Sequence, residues 1–506
     1  MLRAGLNTSP RRLLRCLLAG AFFALPFLCF RLWPLAWFAL IPAFLSLRGL
    51  SPREGATVGL LMGLGFWLSS LYWLAGVTVG GFLVLVLYLS LFWAAWGALT
   101  ALFSSRPRLA WWAPAAAWVA LEYLRAVLFS GFPWNPAGTS QAFVPCLIQV
   151  SAWSGVYGVS FLVVLVNGAL SRAVARPRRR IDLVRAGLAL VLLGISAVGG
   201  GWRLEGGKAA AAGGARLKIA LVQGGIPQEI KWNPSYAQSI FERYLELTEK
   251  ALERKPDLVL WPESALPWYL EDSPRARSIL ENLAVSGQAD LVVGGDTLRR
   301  SPRAVFNSAF HVSPGGGYRG RYDKLHLVPF GEYVPLGKHL AFLQRVVPWE
   351  EDFSPGRDAV LFPLASRELK VGTLICFEDI IPVLSRRLVS SGAGLLLNLT
   401  NDAWFGRSPQ PYQHAAAAVF RAVENRVSLA RATNTGYSCL IDPWGRLIGE
   451  VRDRGGRVLY ASDFALVRAP LVEPGTFYTR HGDLFAGACI VLVVLALAGL
   501  RRQFRK

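Results

Sequence analysis

Apolar segments, each close to the length that crosses a lipid bilayer, fill the chain up to residue 202. Seven of them precede one long polar block, and an eighth follows it at 484–500. A helix needs about 20 mostly apolar residues to cross the hydrocarbon core, and the mean hydropathy of +0.36 is high for a soluble protein. We therefore predict a multi-pass α-helical membrane domain of about eight transmembrane helices around one polar domain. The seven leading segments are 13–30, 33–47, 57–75, 81–103, 109–129, 147–170 and 186–202.

Arginines gather at alternate junctions between these segments and set the expected orientation. The net charge is +21, but most of the excess arginine lies in these junctions, so we expect no nucleic-acid partner. Basic junctions remain on the cytoplasmic side of a membrane. Seven crossings from a cytoplasmic N-terminus then place the polar block outside the cytoplasm. The basic junctions contain Arg11, Arg12 and Arg15; Arg48 and Arg53; Arg106 and Arg108; Arg172, Arg176, Arg178, Arg179, Arg180 and Arg185; and Arg501, Arg502, Arg505 and Lys506.

Composition divides the chain into a transmembrane domain at 1–204, a linker at 205–215, an α/β domain at 216–480, and a final span with a basic tail at 481–506. The linker is rich in glycine and alanine, which predicts flexibility. Short apolar runs alternate with amphipathic helical patterns in the polar block, as is typical of layered α/β domains. The predicted strands are 217–223, 257–261, 290–294, 305–312, 369–375 and 395–399, and the predicted helices are 235–254, 273–286, 380–388 and 413–430.

The polar block contains two of the six cysteines, Cys376 and Cys439. Cys376 follows a predicted strand and precedes a helix-like run. Backbone N–H groups and the positive end of a helix dipole would favour its thiolate, which is the nucleophilic form. Two other interpretations remain open, namely a buried core cysteine and a disulfide with Cys439.

Glu263 and Lys324 supply the other chemistry that a cysteine nucleophile needs. Glu263 follows Trp-Pro at the end of an apolar strand, where apolar neighbours disfavour the charged carboxylate and suit a general base. Lys324 lies in a loop and could stabilise an oxyanion. A helix cap or a surface charge remains the alternative for Glu263, and a solvated side chain remains the alternative for Lys324. His326 is expected to be a scaffold residue, and no spacing predicts a metal site.

The order Glu263, Lys324, Cys376 in these contexts resembles the nitrilase, or carbon–nitrogen hydrolase, superfamily. Longer strings narrow the resemblance to the apolipoprotein N-acyltransferase family. These are Lys324 to Pro335 (KLHLVPFGEYVP), Thr400 to Gly406 (TNDAWFG) and Gly131 to Trp134 (GFPW). The resemblance implies that 216–480 is an extracytoplasmic nitrilase-like catalytic domain, an α/β domain with an αββα sandwich fold.

The resemblance also implies a role for each matching residue. Cys376 would be the nucleophile, Glu263 the base, and Lys324 the stabiliser of the oxyanion. Where tyrosine is frequent after the nucleophile, this chain has Phe377, so any role that needs a hydroxyl there is in doubt. The supporting residues implied by the resemblance are Trp232, Glu332, Phe377 and Glu378.

The implied reaction has two steps and no cofactor or metal. A phospholipid gives its sn-1 acyl chain to the cysteine as a thioester, and the N-terminal amine of a diacylglyceryl-cysteine apolipoprotein then takes it, giving a triacylated lipoprotein. The implied location is the bacterial inner membrane, with the catalytic domain on the periplasmic side. We expect a monomer, because nothing marks a dimer surface. Two alternatives are a membrane-tethered amidase and a transporter or binding module with a degenerate domain.

Two further features suggest contact with lipid, and each has a simpler interpretation. Residues 336–349 are apolar enough to form a lid that enters the bilayer, or an ordinary surface helix. Glu122 and Arg125 lie three residues apart within one apolar segment, hence on one helix face. They could neutralise each other, which is the favoured interpretation, or meet a phospholipid headgroup.

Overall fold

The computed structural model of the chain describes residues 10–334, 352–365 and 367–504, so the predicted lid at 336–349 lies outside the described residues. By internal contacts, the chain divides into two compact units. The first, called here the helical unit, comprises 1–205 and 481–506, and the second, the sheet unit, comprises 206–480.

The helical unit is built from apolar helices that approach one another closely through glycine. A side chain on Gly59 in the third helix would lie 2.2 Å from the Trp93 carbonyl oxygen, so only glycine fits there. Small residues at such crossings let helices pack closely in a membrane. The third helix begins at Ser51, whose hydroxyl and the Glu54 carboxylate form a capping box. The helices are α1 (Pro10–Leu28), α2 (Ile41–Ser46), α3 (Pro52–Ser70), α4 (Val79–Ser104), α5 (Ala113–Val127), α6 (Pro145–Ile148), α7 (Ser151–Ser154), α8 (Val156–Ala175) and α9 (Arg180–Gly213).

Four helices in the described part of the chain are long and apolar enough to cross a membrane. They are Val79–Ser104, Val156–Ala175, Arg180–Ala209 and Leu484–Arg502. The segment predicted at 33–47 is not one helix but a 3₁₀ helix at Phe30–Trp37 followed by α2, because Pro34 and Pro42 interrupt it. The segment predicted at 147–170 breaks at Gly155, whose φ is +63°. The eight-span count remains a prediction.

The predicted flexible linker at 205–215 is helical instead, since α9 continues to Gly213. The run of alanines at 209–212 explains the difference, because alanine has the highest helix propensity and outweighs the neighbouring glycines.

The sheet unit contains two six-stranded sheets with the same pattern of strand directions. In each, two neighbouring parallel pairs are flanked by antiparallel strands. The strands are β1 (Arg216–Gln223), β2 (Leu258–Leu260), β3 (Asp290–Arg300), β4 (Arg303–Val312), β5 (Tyr318–Asp323), β6 (Leu361–Leu364), β7 (Leu369–Ile375), β8 (Leu395–Thr400), β9 (Ser428–Thr433), β10 (Cys439–Ile441), β11 (Leu447–Glu450) and β12 (Asp463–Pro470). The first sheet has the order β12-β1-β2-β3-β4-β5, and the second has the order β11-β10-β9-β8-β7-β6.

Two apolar layers hold the sheets and helices together. One lies between the sheets and joins alternate residues of β1, namely Leu217, Ile219 and Leu221, to residues of β8 such as Leu397. The other joins the opposite face of the first sheet to two amphipathic helices. Helices on the outer face of each sheet give the expected αββα sandwich. The helices of this unit are α10 (Gln228–Lys231), α11 (Ala237–Leu252), α12 (Pro274–Gly287), α13 (Pro382–Ser390), α14 (Gln410–Asn425) and α15 (Phe477–His481), and α16 (Leu484–Phe504) follows.

One predicted element is wrong over part of its length. The helix predicted at 413–430 ends at Asn425, where Arg426 adopts φ +53°, and residues 428–433 form β9. Apolar residues continue through both elements because both are buried, so hydrophobicity does not mark the boundary.

Leu397→Ala should destabilise the sheet unit, because it removes a fully buried side chain from the layer between the sheets. We expect the free energy of unfolding to fall by about 2–5 kcal/mol. Thermal unfolding of the purified chain, followed by circular dichroism, measures the effect. The control Leu447→Ala changes a leucine that is 37% exposed and should cost less than about 0.5 kcal/mol. Equal losses in the two variants would contradict this assignment of the core.

Candidate active site

The predicted catalytic residues lie where strands of the two sheets end. Glu263 follows β2, Lys324 follows β5, and Cys376 follows β7. Asn401 and Asp402 follow β8, the parallel neighbour of β7. The carboxyl ends of parallel strands are where open α/β sheets usually bind ligands, because loops there can converge on one point.

Lys324 lies between two glutamates in a buried polar cluster. Its Nζ is 2.8 Å from Glu332 Oε1 and 3.6 Å from Glu263 Oε1. Asn307 donates from Nδ2 to both carboxylates, at 2.7 Å to Glu263 Oε1 and 3.1 Å to Glu332 Oε1. The backbone N–H of Asn401 donates to Glu263 Oε2 at 2.8 Å, so both oxygens of Glu263 are held.

The carboxylates keep Lys324 charged although its side chain is only 1% exposed. Burial disfavours the ammonium, but the negative charges of Glu332 and Glu263 outweigh burial and raise its pKa. A fixed ammonium beside a nucleophile is suited to stabilise negative charge that develops during reaction. Glu263 is surrounded by hydrogen-bond donors, and not only by the apolar neighbours that the sequence suggested.

Cys376 occupies a sharp turn between β7 and a 3₁₀ helix at Cys376–Ile380. Its φ is +51°, a left-handed conformation that costs about 1–3 kcal/mol for a residue other than glycine and needs support from its surroundings. The Cys376 carbonyl oxygen accepts a hydrogen bond from Asn398 Nδ2 at 3.1 Å, and His414 Nε2 lies 3.3 Å away. The turn leaves the cysteine partly accessible.

The expectation of a stabilised thiolate at rest is wrong. Burial and the nearby Glu263 carboxylate raise the pKa of Cys376 well above its ordinary value, against the opposing effect of Lys324. Cys376 is the first residue of a short 3₁₀ helix, and helix α13 begins only at Pro382, so the thiol gains little from a helix dipole. Cys439 is completely buried, and both cysteines are free, so a disulfide between them does not form.

Glu378 stabilises the turn at Cys376 through hydrogen bonds. Its Oε1 accepts hydrogen bonds from the backbone N–H groups of Leu325 and His326, and its Oε2 accepts one from Ile375 N. Tyr322 also donates its hydroxyl to this carboxyl, and burial raises the pKa of Glu378 to about 7. These bonds tie the loop after β5, which carries Lys324, to the strand that carries Cys376.

The remaining predicted residues lie around this centre. Phe377 is buried, and its ring stacks on His326 with 6.1 Å between ring centroids. Trp232 is 50% exposed, with the Lys231 ammonium 5.3 Å from its ring centroid. Lys231 itself is buried and donates to the Ser264 carbonyl at 2.6 Å, beside Glu263 in the chain. Burial lowers the pKa of Lys231 to about 8.

A buried charged network behind Cys376 was not predicted. His414 Nε2 lies 2.8 Å from Asp379 Oδ1, and its Nδ1 lies 3.1 Å from Asp402 Oδ1. Arg431 pairs with Asp379 and donates to Asn398 Oδ1 at 2.9 Å. Burial opposes charge on His414, but Asp379 and Asp402 outweigh it and raise the pKa of His414 to about 9. The imidazolium therefore helps to fix the backbone of Cys376.

Glu122 and Arg125 are both buried in the helical unit, and each has its own hydrogen bonds. Glu122 Oε1 accepts from Trp118 Nε1 and from Ala137 N, both at 2.6 Å, and Arg125 donates to the Trp134 carbonyl at 2.6 Å. Mutual neutralisation of Glu122 and Arg125 and their contact with a headgroup both stay predictions. Within the described residues, no group of three or more His, Cys, Asp or Glu side chains could hold a metal ion.

His414→Gln removes a cation but retains a hydrogen-bond donor near Cys376. Because the folded pKa of about 9 exceeds the ordinary value of about 6.5, the imidazolium stabilises the fold fully below about pH 6.5, and this stabilisation is lost as pH rises through 9. We expect the Tm advantage of the unsubstituted chain over the variant to shrink between about pH 7 and pH 10. His481→Gln, which changes an exposed histidine, is the control. A pH-independent difference for His414→Gln would refute the charged state.

Comparison with known proteins places this arrangement in a family. Residues 19–169 match the model for the apolipoprotein N-acyltransferase N-terminal domain, and residues 218–469 match the carbon–nitrogen hydrolase model. The apolipoprotein N-acyltransferase of Geobacter metallireducens is 41% identical, over 98% of this chain and 96% of that protein. The enzyme of the same name from Nitrosomonas europaea is 32% identical over 92% of each chain. The chain therefore belongs to the apolipoprotein N-acyltransferase family of acyltransferase enzymes.

Proposed function

We propose that this enzyme moves a fatty acyl chain from the sn-1 position of a phospholipid to the N-terminal amine of a diacylglyceryl-cysteine apolipoprotein, through a thioester on Cys376. The observation that carries the proposal is the array of Glu263, Lys324 and Glu332 beside the strained turn of Cys376. The relatives are named for N-acyl transfer to apolipoproteins, which agrees with the proposed acceptor. The product is a triacylated lipoprotein.

We place the enzyme in the bacterial inner membrane, with eight crossings and the sheet unit on the periplasmic side. The alternating basic junctions support this orientation. A membrane location fits both substrates, because a phospholipid and a lipid-anchored protein each present their reactive groups at the bilayer surface. The enzyme acts as a monomer in this proposal, without a cofactor or metal.

In the first step, Glu263 removes the thiol proton of Cys376 as the sulfur attacks the ester carbonyl carbon of the phospholipid. Coupling the two events is required, because the raised pKa of Cys376 leaves little thiolate at rest. The Lys324 ammonium stabilises the oxyanion of the tetrahedral intermediate. As the intermediate collapses, the ester C–O bond breaks, Glu263 returns its proton to the departing glycerol oxygen, and a lysophospholipid leaves.

In the second step, the neutral amine of the apolipoprotein attacks the thioester carbonyl carbon. Glu263 accepts a proton from the amine, Lys324 again stabilises the oxyanion, and the C–S bond breaks. The proton then passes from Glu263 to the Cys376 sulfur and restores the resting thiol. Dividing the transfer into two steps predicts ping-pong kinetics. Glu332 supports the reaction by holding Lys324 at 2.8 Å, and is a positioning residue.

Mass spectrometry of the purified chain mixed with a palmitoyl phospholipid should show one palmitoyl adduct on Cys376. A diacylated lipopeptide should discharge the adduct, whereas water should not, and this difference separates a transferase from an amidase-like hydrolase. Cys376→Ala and Cys376→Ser should abolish both the thioester and lipopeptide acylation. The control Cys439→Ala should retain the adduct, and product formation by either Cys376 variant would remove this cysteine from the mechanism.

Lys324→Ala should lower the rate of adduct formation by about 10²-fold or more, because an oxyanion-stabilising group is lost. The rate of adduct formation is measured by quenching the reaction at successive times in saturating phospholipid. Lys370→Ala, which changes an exposed lysine on β7, is the control and should react at the normal rate. Normal turnover by Lys324→Ala would assign oxyanion stabilisation to another group.

A further inference from the structure

A cavity in the helical unit has basic walls and an apolar floor. It measures about 270 Å³ and lies between the end of α2, the end of α4 and the last turns of α8. We call it the basic cavity, and the residues that matter for its chemistry are Phe44, Arg48, Gly168, Ser171, Arg172 and Arg176. None of these six belongs to the proposed catalytic site.

Positive charge around the basic cavity exceeds the negative charge available to neutralise it. Arg172 Nε is 3.2 Å from Asp182 Oδ1, but the same completely buried carboxylate also lies 3.9 Å from Arg179 and 3.8 Å from Arg185. Among the residues that the structure describes, the side chains of Arg48 and Arg176 form no ion pair. The single carboxylate of Asp182 therefore lies near three guanidinium groups. The guanidinium groups of Arg48 and Arg176 also line the cavity, and neither has an acidic partner in the described part of the chain.

The acid nearest to Arg48 in the sequence does not correct this imbalance. Glu54 Oε2 accepts hydrogen bonds from Ser51 N at 2.8 Å and from Ser51 Oγ at 2.9 Å, and so caps helix α3. The Arg172 Nη2 atom is buried and makes no hydrogen bond to any residue in the described ranges. A buried donor without a partner is costly, and an anion in the cavity would supply the missing acceptor.

The floor of the cavity is apolar. The Phe44 side chain is 7% exposed and packs over Gly168, where an added Cβ would lie 3.2 Å from Phe44 Cζ. The Ser171 hydroxyl donates to the Gly168 carbonyl at 2.8 Å, so its proton is already used within helix α8. A small hydrated anion gains nothing from such a floor, whereas the glycerol and first acyl carbons of a lipid do.

The basic cavity is larger than a second cavity, which is lined by aromatic residues and lies beside Arg125. That cavity measures about 30 Å³ and can hold at most about two or three water molecules, since each needs at least about 10–15 Å³. The basic cavity, at about 270 Å³, approaches the lower end of small-ligand sites, which begin near roughly 300 Å³. Of these two cavities, the basic cavity is the one with room for a phosphate attached to glycerol.

We propose that the basic cavity binds the phosphate-bearing headgroup of an anionic glycerophospholipid, held as a bound lipid and not used as the acyl donor. Arg48, Arg172 and Arg176 contact the phosphate oxygens, since guanidinium groups match phosphate geometry. The glycerol and first acyl carbons pack against the apolar floor at Phe44. The orientation proposed above would place this lipid in the cytoplasmic leaflet, but the binding itself does not depend on that orientation.

Native mass spectrometry of the full chain tests this proposal with phosphatidylglycerol and with phosphatidylcholine of identical acyl chains. The test variant is Arg48→Gln with Arg176→Gln, which spares Arg172 and its contact with Asp182. We expect one phosphatidylglycerol to remain bound to the unsubstituted chain, and its affinity to fall about 10- to 30-fold in the variant. The control is Arg106→Gln with Arg108→Gln, at a basic junction but outside the residues that line the cavity, and it should retain the lipid.

Three results would overturn the proposal. Equal loss in the control would mean general surface attraction, and equal retention of phosphatidylcholine would mean that the anionic headgroup is not recognised. Displacement of the lipid by inorganic phosphate at millimolar concentration, with the same dependence on Arg48 and Arg176, would mean a free-anion site. Adduct formation on Cys376 in detergent is measured separately and should be normal in both double variants. Its absence from the unsubstituted chain would count against the proposed function alone.

Discussion

The buried contact between the Lys324 ammonium and the Glu332 and Glu263 carboxylates is the interaction on which the site depends. It joins the loop after β5 to the end of β2, and Asn307 of β4 binds both acids. Removing one partner from a buried ion pair typically costs about 3–5 kcal/mol, because the remaining charge is left without compensation. The charges that hold the loop in place are also those to which we assign the chemistry, so in this proposal stability and catalysis depend on the same residues.

The two sheets contribute residues to the site from corresponding strands. Each has the same succession of antiparallel and parallel pairs, so β2 in the first sheet corresponds to β8 in the second. Glu263 follows β2, and Asn401, whose N–H binds Glu263, follows β8. Asn434 at the end of β9 donates to Asn401 Oδ1 at 3.1 Å and to the Ile226 carbonyl at 2.8 Å. Its amide therefore bridges loops from both sheets and fixes their spacing.

The sequence was most informative where chemistry and a strand end coincide. Glu263 and Cys376 each follow a short apolar run, and β7 has the predicted bounds. Asn307 and His414 could not be found in this way, because a buried polar residue within a strand or helix has no local signature. Their partners come from residues 12 to 44 positions away in the chain. The strands β5, β6, β10, β11 and β12 were also missed, because β6, β10 and β11 have only three or four residues and charged residues interrupt the apolar pattern of β5 and β12.

In the helical unit, average composition also did not predict every element. Hydropathy located the apolar segments, but proline at positions 34 and 42 and the turn at Gly155 decided which of them became long helices. At the other end of α9, alanine propensity extended a helix into a region whose glycines suggested flexibility. In both places the local backbone preference of a few residues outweighed average composition.

The raised pKa of Cys376 also bears on how such a sulfur survives. Peroxides and other oxidants attack thiolates far faster than thiols, and oxidation beyond the sulfenic acid is largely irreversible. In the mechanism that we propose, Cys376 is deprotonated only when an acyl donor is present and otherwise remains in the resistant thiol form. With the periplasmic placement that we propose, no cytosolic reductant would reach Cys376, and the thiol form would lengthen the working life of each enzyme molecule.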